Sequence, residues 1–426
     1  MLQKCYFISF QVVAAKLCAL TYQTTNEPPV AEQSTFVEKL NQQLADVYNI
    51  GNDWEVVAVS KDAPLTVHSV LLFQNKHKKD HVVVAIRGSV PPTFAALVFH
   101  VAMALIGASE GTLVQAWNSL GSHLLTLYNN PLAFQLSNLY VGVQVLVNWF
   151  NDDLRVLSLV PFTTEAIAAI RPHANPSHVT VGKTIEVLIA LVLSLAKASL
   201  FLPLELVKAV LFQIQPKTAA PAQPMISYGS NSALKDIATQ QLVELVKNKT
   251  TVDVIGHSLG GALASVVAPW LKAHLAGIKS GAKVRATTLA GPTAGNAAFA
   301  AYLEEQFPGD QFRRVVNPID VVPLAWSVES ILKIPSLYKN PLPANYGPLI
   351  NQIASIIIAP IVWVIALVVA FFVAPYNYTQ PKKADTKDTI VLKTAKESPQ
   401  LSVFFQVGHQ HDFDNYIKLT EAIQEE

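Results

Sequence analysis

The residues Val252-Asp253-Val254-Ile255-Gly256-His257-Ser258-Leu259-Gly260-Gly261-Ala262-Leu263-Ala264 carry the strongest chemical signal in the chain. They fit G-x-S-x-G, in which a nucleophilic serine sits on a sharp turn between a strand and a helix and its hydroxyl stands clear of both. Gly256 and Gly260 suit that turn because a side chain at either position would collide with the neighbouring elements. The context the pattern needs is also present: an apolar strand precedes Gly256 and the small-residue run Gly261 to Ala268 follows. A tight turn of no catalytic use would match the pattern but would not require both flanks.

A serine hydroxyl is a poor nucleophile at neutral pH and needs a general base, itself oriented by a carboxylate. On such an elbow the partners follow in the order serine, carboxylate, histidine. Downstream, Arg314 to Pro323 reads as a strand running into a loop, with Asp320 at the strand end as the natural orienting carboxylate. A turn or cap aspartate would look the same there. The histidines after it are His409 and His411, so one of these two is the base. His257, inside the elbow, is expected to point away from the hydroxyl. The other histidines precede the carboxylate and read as surface or satisfied core residues. No spacing of His, Cys and acidic residues suggests a metal, and no cofactor is implied.

Developing negative charge on a substrate oxygen needs hydrogen-bond donors aimed at it. The backbone N–H of Leu259, directly after the nucleophile, is one. The strand Val82 to Arg87 and its Gly88-Ser89 turn supply the second, through the N–H and hydroxyl of Ser89.

Positioning these groups requires a sheet. Val67 to Phe73 and His81 to Ile86 read as a hairpin across the polar turn Asn75 to Asp80, and Val252 to Ile255 and Val284 to Leu289 read as further strands. Between them, Ser232 to Lys247 has apolar residues at helical spacing, with Ser232 as its N-cap. Strands alternating with helices predict an α/β sheet.

The 426 residues permit up to three domains, but a single hydrolase domain with insertions accounts for the same length. A net charge of +1 removes the electrostatic reason to expect nucleic acid. Charged residues are 14% of the chain, against about 25% in ordinary soluble domains, and hydrophobic residues are 51%. The missing charge falls in three apolar inserts, at about 90–147, 184–215 and 328–381. The last contains Ala354 to Ala374, long enough as a helix for the roughly 30 Å hydrocarbon core, with Pro360 expected to break it near its start. A single crossing there would put Asp320 and His411 on opposite sides of a bilayer, so a working triad forbids it. The inserts are instead expected to form an apolar cap beside the site, serving as lid and membrane-docking surface. Gln215 to Pro224 and Lys382 to Lys387 read as linkers. Met1 to Leu20 reads as an amphipathic first helix rather than a cleaved signal. On one helix Cys5 and Cys18 would stand about 20 Å apart, too far for a disulfide.

The motifs together resemble the class 3 lipases, the fungal-lipase-like α/β hydrolases. GHSLGGALA stands at Gly256 to Ala264. Val83 to Ser89 is similar to the family's V-V-x-F-R-G-[ST], with Ile86 in place of the aromatic. Leu289 to Asn296 resembles F-G-x-P-R-x-G-N, and Arg314 to Pro323 matches R-V-V-N-x-x-D-x-V-P. The family's histidine precedes a tyrosine by five residues, as His411 precedes Tyr416, and that spacing selects His411. Two features depart from the family: Asn148-Trp149-Phe150-Asn151-Asp152 comes only after the first insert, and Thr293 replaces the usual arginine, so that a polar role there is lost.

The resemblance implies an α/β-hydrolase fold, with Ser258, Asp320 and His411 as triad and Ser89 and Leu259 as oxyanion hole. It implies a serine ester hydrolase cleaving fatty-acyl esters of acylglycerols or phospholipids, with a lipid substrate; the apolar inserts add a membrane or lipid-droplet surface as partner, and the charge balance leaves no nucleic acid. The chain is then membrane-associated, cytoplasmic or exported. The alternatives are a phospholipase A-type effector or toxin and a catalytically dead membrane-bound scaffold; the intact triad argues against the second.

Overall fold

The computed structural model describes residues 2–22, 33–59, 69–88, 159–170, 223–238, 242–381, 389–401 and 403–424. The inserts at 90–147 and 184–215, the segment 148–152, the linker at 382–387, most of the linker at 215–224, and Ser89 lie outside these.

Seven strands form the main sheet: β1 Trp54–Val59, β2 Val70–Asn75, β3 His81–Ile86, β6 Thr251–His257, β7 Lys283–Leu289, β8 Phe312–Val316 and β9 Thr389–Val391, adjacent in that order. The first three pair antiparallel, with Val70 opposite Ile86 in the expected hairpin, and all from β3 onward pair parallel. A small second sheet joins β4 Leu159–Pro161 to β5 Met225–Ser227.

Helices cover both faces of the main sheet, and β3 is accordingly buried throughout. Alternation sorts its side chains. Val82, Val84 and Ile86 enter one core with α4 Tyr228–Ala238, α5 Leu242–Val246, α6 Leu259–Gly277 and α7 Ala297–Gln306; Val83 and Ala85 enter another with α1 Leu2–Thr21, α2 Gln33–Asp46 and α11 Phe413–Gln424.

Three sequence expectations are corrected. The helix placed from Ser232 begins at Tyr228, because Ser227 Oγ accepts from the N–H of Ser230 at 3.2 Å and supplies the cap; its described residues run to Ala238, and Leu242–Val246 form α5. Helix α1 is buried almost all round from Val12 to Thr21, because it lies between the sheet and α11; its Lys16 reaches out to Glu421 at 2.9 Å. Pro360 does not break the third insert: α9 runs unbroken from Gly347 to Val373.

Short α3 Thr164–Ala169 and α8 Val328–Ile331 complete the helices described so far. The C-terminal half of α9 packs on the first core through Ala366, Leu367, Ala370 and Val373. Its N-terminal half buries Ala354 and Ile358 against Leu342 and Val403, the latter the first residue of α10 Val403–His411. Leu349, Ile353, Ile356 and Trp363, at spacings of four, three and seven, form an exposed apolar stripe.

At the N-terminal end of the parallel strands, buried Asp253 accepts from Arg285 Nε and Nη2, each at 2.6 Å, and lies 2.6 Å from His81 Nε2. Burial alone would raise this carboxyl, but the bonds from His81 and Arg285 outweigh it and hold it below the usual range.

Candidate active site

Strand β6 ends at His257, and the chain turns at once into α6, leaving Ser258 at φ 60° and ψ −130°. A non-glycine residue in that region is strained, and only close packing holds it there. The packing is backbone against backbone. A Cβ on Gly256 would overlap the carbonyl of Gly260, and one on Gly260 would overlap that of Ile86. The Ser258 N–H donates to Leu289 O at 3.0 Å, fixing the turn to β7. Leu259 opens α6, so its N–H lies at the positive end of a nineteen-residue helix.

The partners arrive from the C-terminal end of the sheet. His411, the last residue of α10, has Nε2 2.8 Å from Ser258 Oγ and Nδ1 2.9 Å from Asp320 Oδ2. Ser258 is 1% exposed and Asp320 0%. With Nδ1 carrying the proton for the carboxylate, Nε2 is left to accept the serine proton. His409 is exposed on α10 and takes no part.

Asp320 is held from three directions. Its Oδ1 accepts from the Val322 N–H at 2.9 Å, and its Oδ2 accepts from Tyr416 Oη at 2.9 Å as well as from His411. Tyr416 Oη in turn accepts from the Asn317 N–H at 3.1 Å; burial and then the neighbouring Asp320 carboxylate push its phenol well above the usual value. Asn317 Nδ2 donates to both the backbone O of Gln410 at 3.0 Å and its Oε1 at 2.9 Å, so the aspartate turn is tied to the residue before the histidine.

His257 makes no bond to Ser258. Its ring stacks on His411, centroids 4.8 Å apart and planes 28° apart, while Nδ1 lies 2.9 Å from Tyr22 Oη. Burial, then the charge of His411, hold it well below the usual histidine value, against a weaker opposite effect of the His411 carbonyl. Its buried Nε2 reaches no partner in good geometry.

Of the residues singled out in the sequence, the structure brings together Ser258, His411, Asp320, Gly256, His257, Gly260 and Leu259; Ser89 falls outside the described residues, next to described Gly88. Thr293 keeps a polar role that was expected to be lost, its Oγ1 donating to Ala325 O at 2.8 Å. Asn317 stood within a quoted motif and Tyr416 entered only as a spacing mark. Tyr22 and Gln410 carried no signal.

The class 3 lipase family model matches residues 202–329, which include the elbow and Asp320 but neither Ser89 nor His411. No curated protein matches the chain. Among solved structures the chain is similar to M37 lipase, with a TM-score of 0.53 and 20% identity over 96% of this chain and 91% of that one. Lip2 lipase from Yarrowia lipolytica gives a TM-score of 0.37 and 15% identity over 76% and 74%. The Rhizomucor miehei lipase propeptide complex gives 0.34 and 14% over 76% and 64%. The chain thus resembles the class 3 lipases over residues 202–329, and its likeness to M37 lipase is one of fold.

Proposed function

We propose that the chain hydrolyses fatty-acyl esters of acylglycerols or phospholipids through an acyl-enzyme on Ser258. Attack of Ser258 Oγ on the ester carbonyl forms the C–O bond as the hydroxyl proton passes to His411 Nε2. Asp320 holds the ring and stabilises the imidazolium. The N–H of Leu259 and the Ser89 donors receive the oxyanion. Collapse of the intermediate returns the proton to the leaving alcohol, and water repeats the sequence to release the fatty acid. The observation that carries this reading is the unbroken relay of 2.8 and 2.9 Å ending on a serine strained at φ 60°.

The apolar inserts form a cap that docks on a membrane or lipid-droplet surface. The exposed stripe of α9 supports this, because α9 carries no charged residue over its 27 positions. Asp320 and His411 lie in hydrogen-bond contact on either side of that insert in sequence, which is compatible with docking and not with a single crossing.

The test is fatty-acid release from mixed diacylglycerol and phosphatidylcholine vesicles by wild type and by Ser258→Ala. Loss of such a nucleophile costs on the order of 10⁶ in kcat. Product analysis separates acylglycerol lipase from phospholipase A action. Equal inactivity of both proteins on every ester, with binding to vesicles retained, would overturn the hydrolase reading in favour of a scaffold.

A further inference from the structure

Tyr22 follows α1 directly and lies 235 residues before His257 in sequence, yet its hydroxyl lies inside the site. Its Oη is 2.9 Å from His257 Nδ1 and lies against the backbone of Gly88. A Cβ on Gly88 would overlap that same Oη, so the glycine is what lets the phenol approach the loop backbone. The ring stacks on Phe413, centroids 5.3 Å apart and planes 22° apart, two residues beyond His411.

We propose that Tyr22 is a positioning residue for the hydrolysis, setting the tautomer of His257 and through its ring the orientation of His411, while anchoring the root of the oxyanion loop at Gly88. The inference rests on the ester-hydrolase reading for its consequence, though not for its geometry. A phenol has one proton. Donated to His257 Nδ1 across the 2.9 Å contact, it leaves the neutral imidazole to carry its own proton on Nε2. His257 is then a neutral ring lying face to face with His411 and flanked edge-on by Tyr416 at 5.4 Å.

Neutrality matters at the moment of attack. His411 becomes an imidazolium as it takes the Ser258 proton, and a second cation stacked at 4.8 Å would oppose that step, whereas a neutral π face does not. The burial that keeps His257 from taking a proton acts in the same direction. The stack also limits rotation of the His411 ring, on which the aim of Nε2 at Ser258 depends. Geometry of this kind raises kcat without changing how tightly the ester binds.

Tyr22→Phe keeps the ring and its stack on Phe413 and removes only the hydroxyl. On a soluble short-chain ester, with active sites counted by phosphonate titration, kcat per titrated site should fall about tenfold with KM unchanged. In a His257→Leu background the same substitution should cost nothing further. A kcat within twofold of wild type, or kcat and KM changing together, would overturn the inference. The second readout needs no substrate. Side-chain ¹⁵N shifts should report a neutral Nε2–H tautomer for His257 in the wild type and a different tautomer or a titrating ring in Tyr22→Phe. An unchanged tautomer sinks the proposal. If wild-type protein hydrolyses no ester, the hydrolase reading fails on its own, and the nitrogen shifts still decide the role of Tyr22.

Discussion

Tyr416 donates its hydroxyl to the same oxygen of Asp320 that accepts from His411, at 2.9 Å in both cases. The oxygen that orients the histidine is thus itself clamped by the phenol, which also satisfies the buried N–H of Asn317. Tyr416→Phe removes a bond to a charged acceptor and leaves one backbone donor bare. The loss should be about 1–3 kcal/mol of stability, read from a denaturant midpoint. The freed aspartate should also lower kcat by roughly five- to thirtyfold, and a variant with wild-type kcat would show the clamp to be structural alone.

Asp320→Asn should be far more damaging to rate than to folding. An amide at that site presents a donor to His411 Nδ1, favours the wrong tautomer, and should drop kcat by about 10⁴. Circular dichroism should show the fold retained.

His257 gives the protein an acid-sensitive stability. Its folded value lies well below the 6.5 of the unfolded chain, chiefly through burial. Below pH 6.5 the unfolded state therefore holds a proton that the folded state refuses, so stability falls as pH drops, by at most about 1.4 kcal/mol per pH unit from this group. His257→Gln lacks this dependence. The stability gap between wild type and variant should narrow from pH 7 to pH 5, and parallel unfolding curves over that range would contradict the assignment.

Asp253→Ala should destabilise without touching chemistry. It leaves His81 and Arg285 without their shared carboxylate, and removing one partner of a buried pair costs about 3–5 kcal/mol. Asp253 precedes Ser258 by five residues, about 16 Å along a strand. kcat per titrated site should stay at the wild-type value while thermal unfolding moves to a lower temperature.

The stripe on α9 can be tested by point substitution, whereas deleting the insert would also remove Ala366, Ala370 and Val373 from the core. Leu349→Ser, Ile353→Ser and Ile356→Ser together should weaken vesicle binding at least tenfold and spare hydrolysis of a soluble ester. Unchanged vesicle binding would rule out docking through this face.

The elbow was legible in the sequence because its requirements are local: glycines where backbones touch, an apolar strand before and small residues after. The hairpin was legible for the same reason, through two β-branched or aliphatic runs and the polar turn between them. The edge strand β1 and the three-residue β9 were not, since both are short and pair with distant partners. The start of α4 was misplaced because Ser227 and Ser232 are equally good caps by type, and only the bond from Ser230 chooses between them. Pro360 misled because a proline removes one hydrogen bond but does not end a helix anchored on both sides. Tyr22 had no signature at all: its partners His257, Gly88 and Phe413 become neighbours only through the fold.

That fold has a consequence for synthesis. Helix α1 is synthesised well before its packing partner α11, and the stacking partner Phe413 lies nearly four hundred residues after it. At about 5–20 residues per second, the interval is tens of seconds. In its second half the nascent chain holds Ser258 without His411, and throughout it α1 lacks the cover that α11 provides. A growing chain thus lacks both the relay to Ser258 and the outer cover of α1, and it gains the two together as α10 and α11 dock.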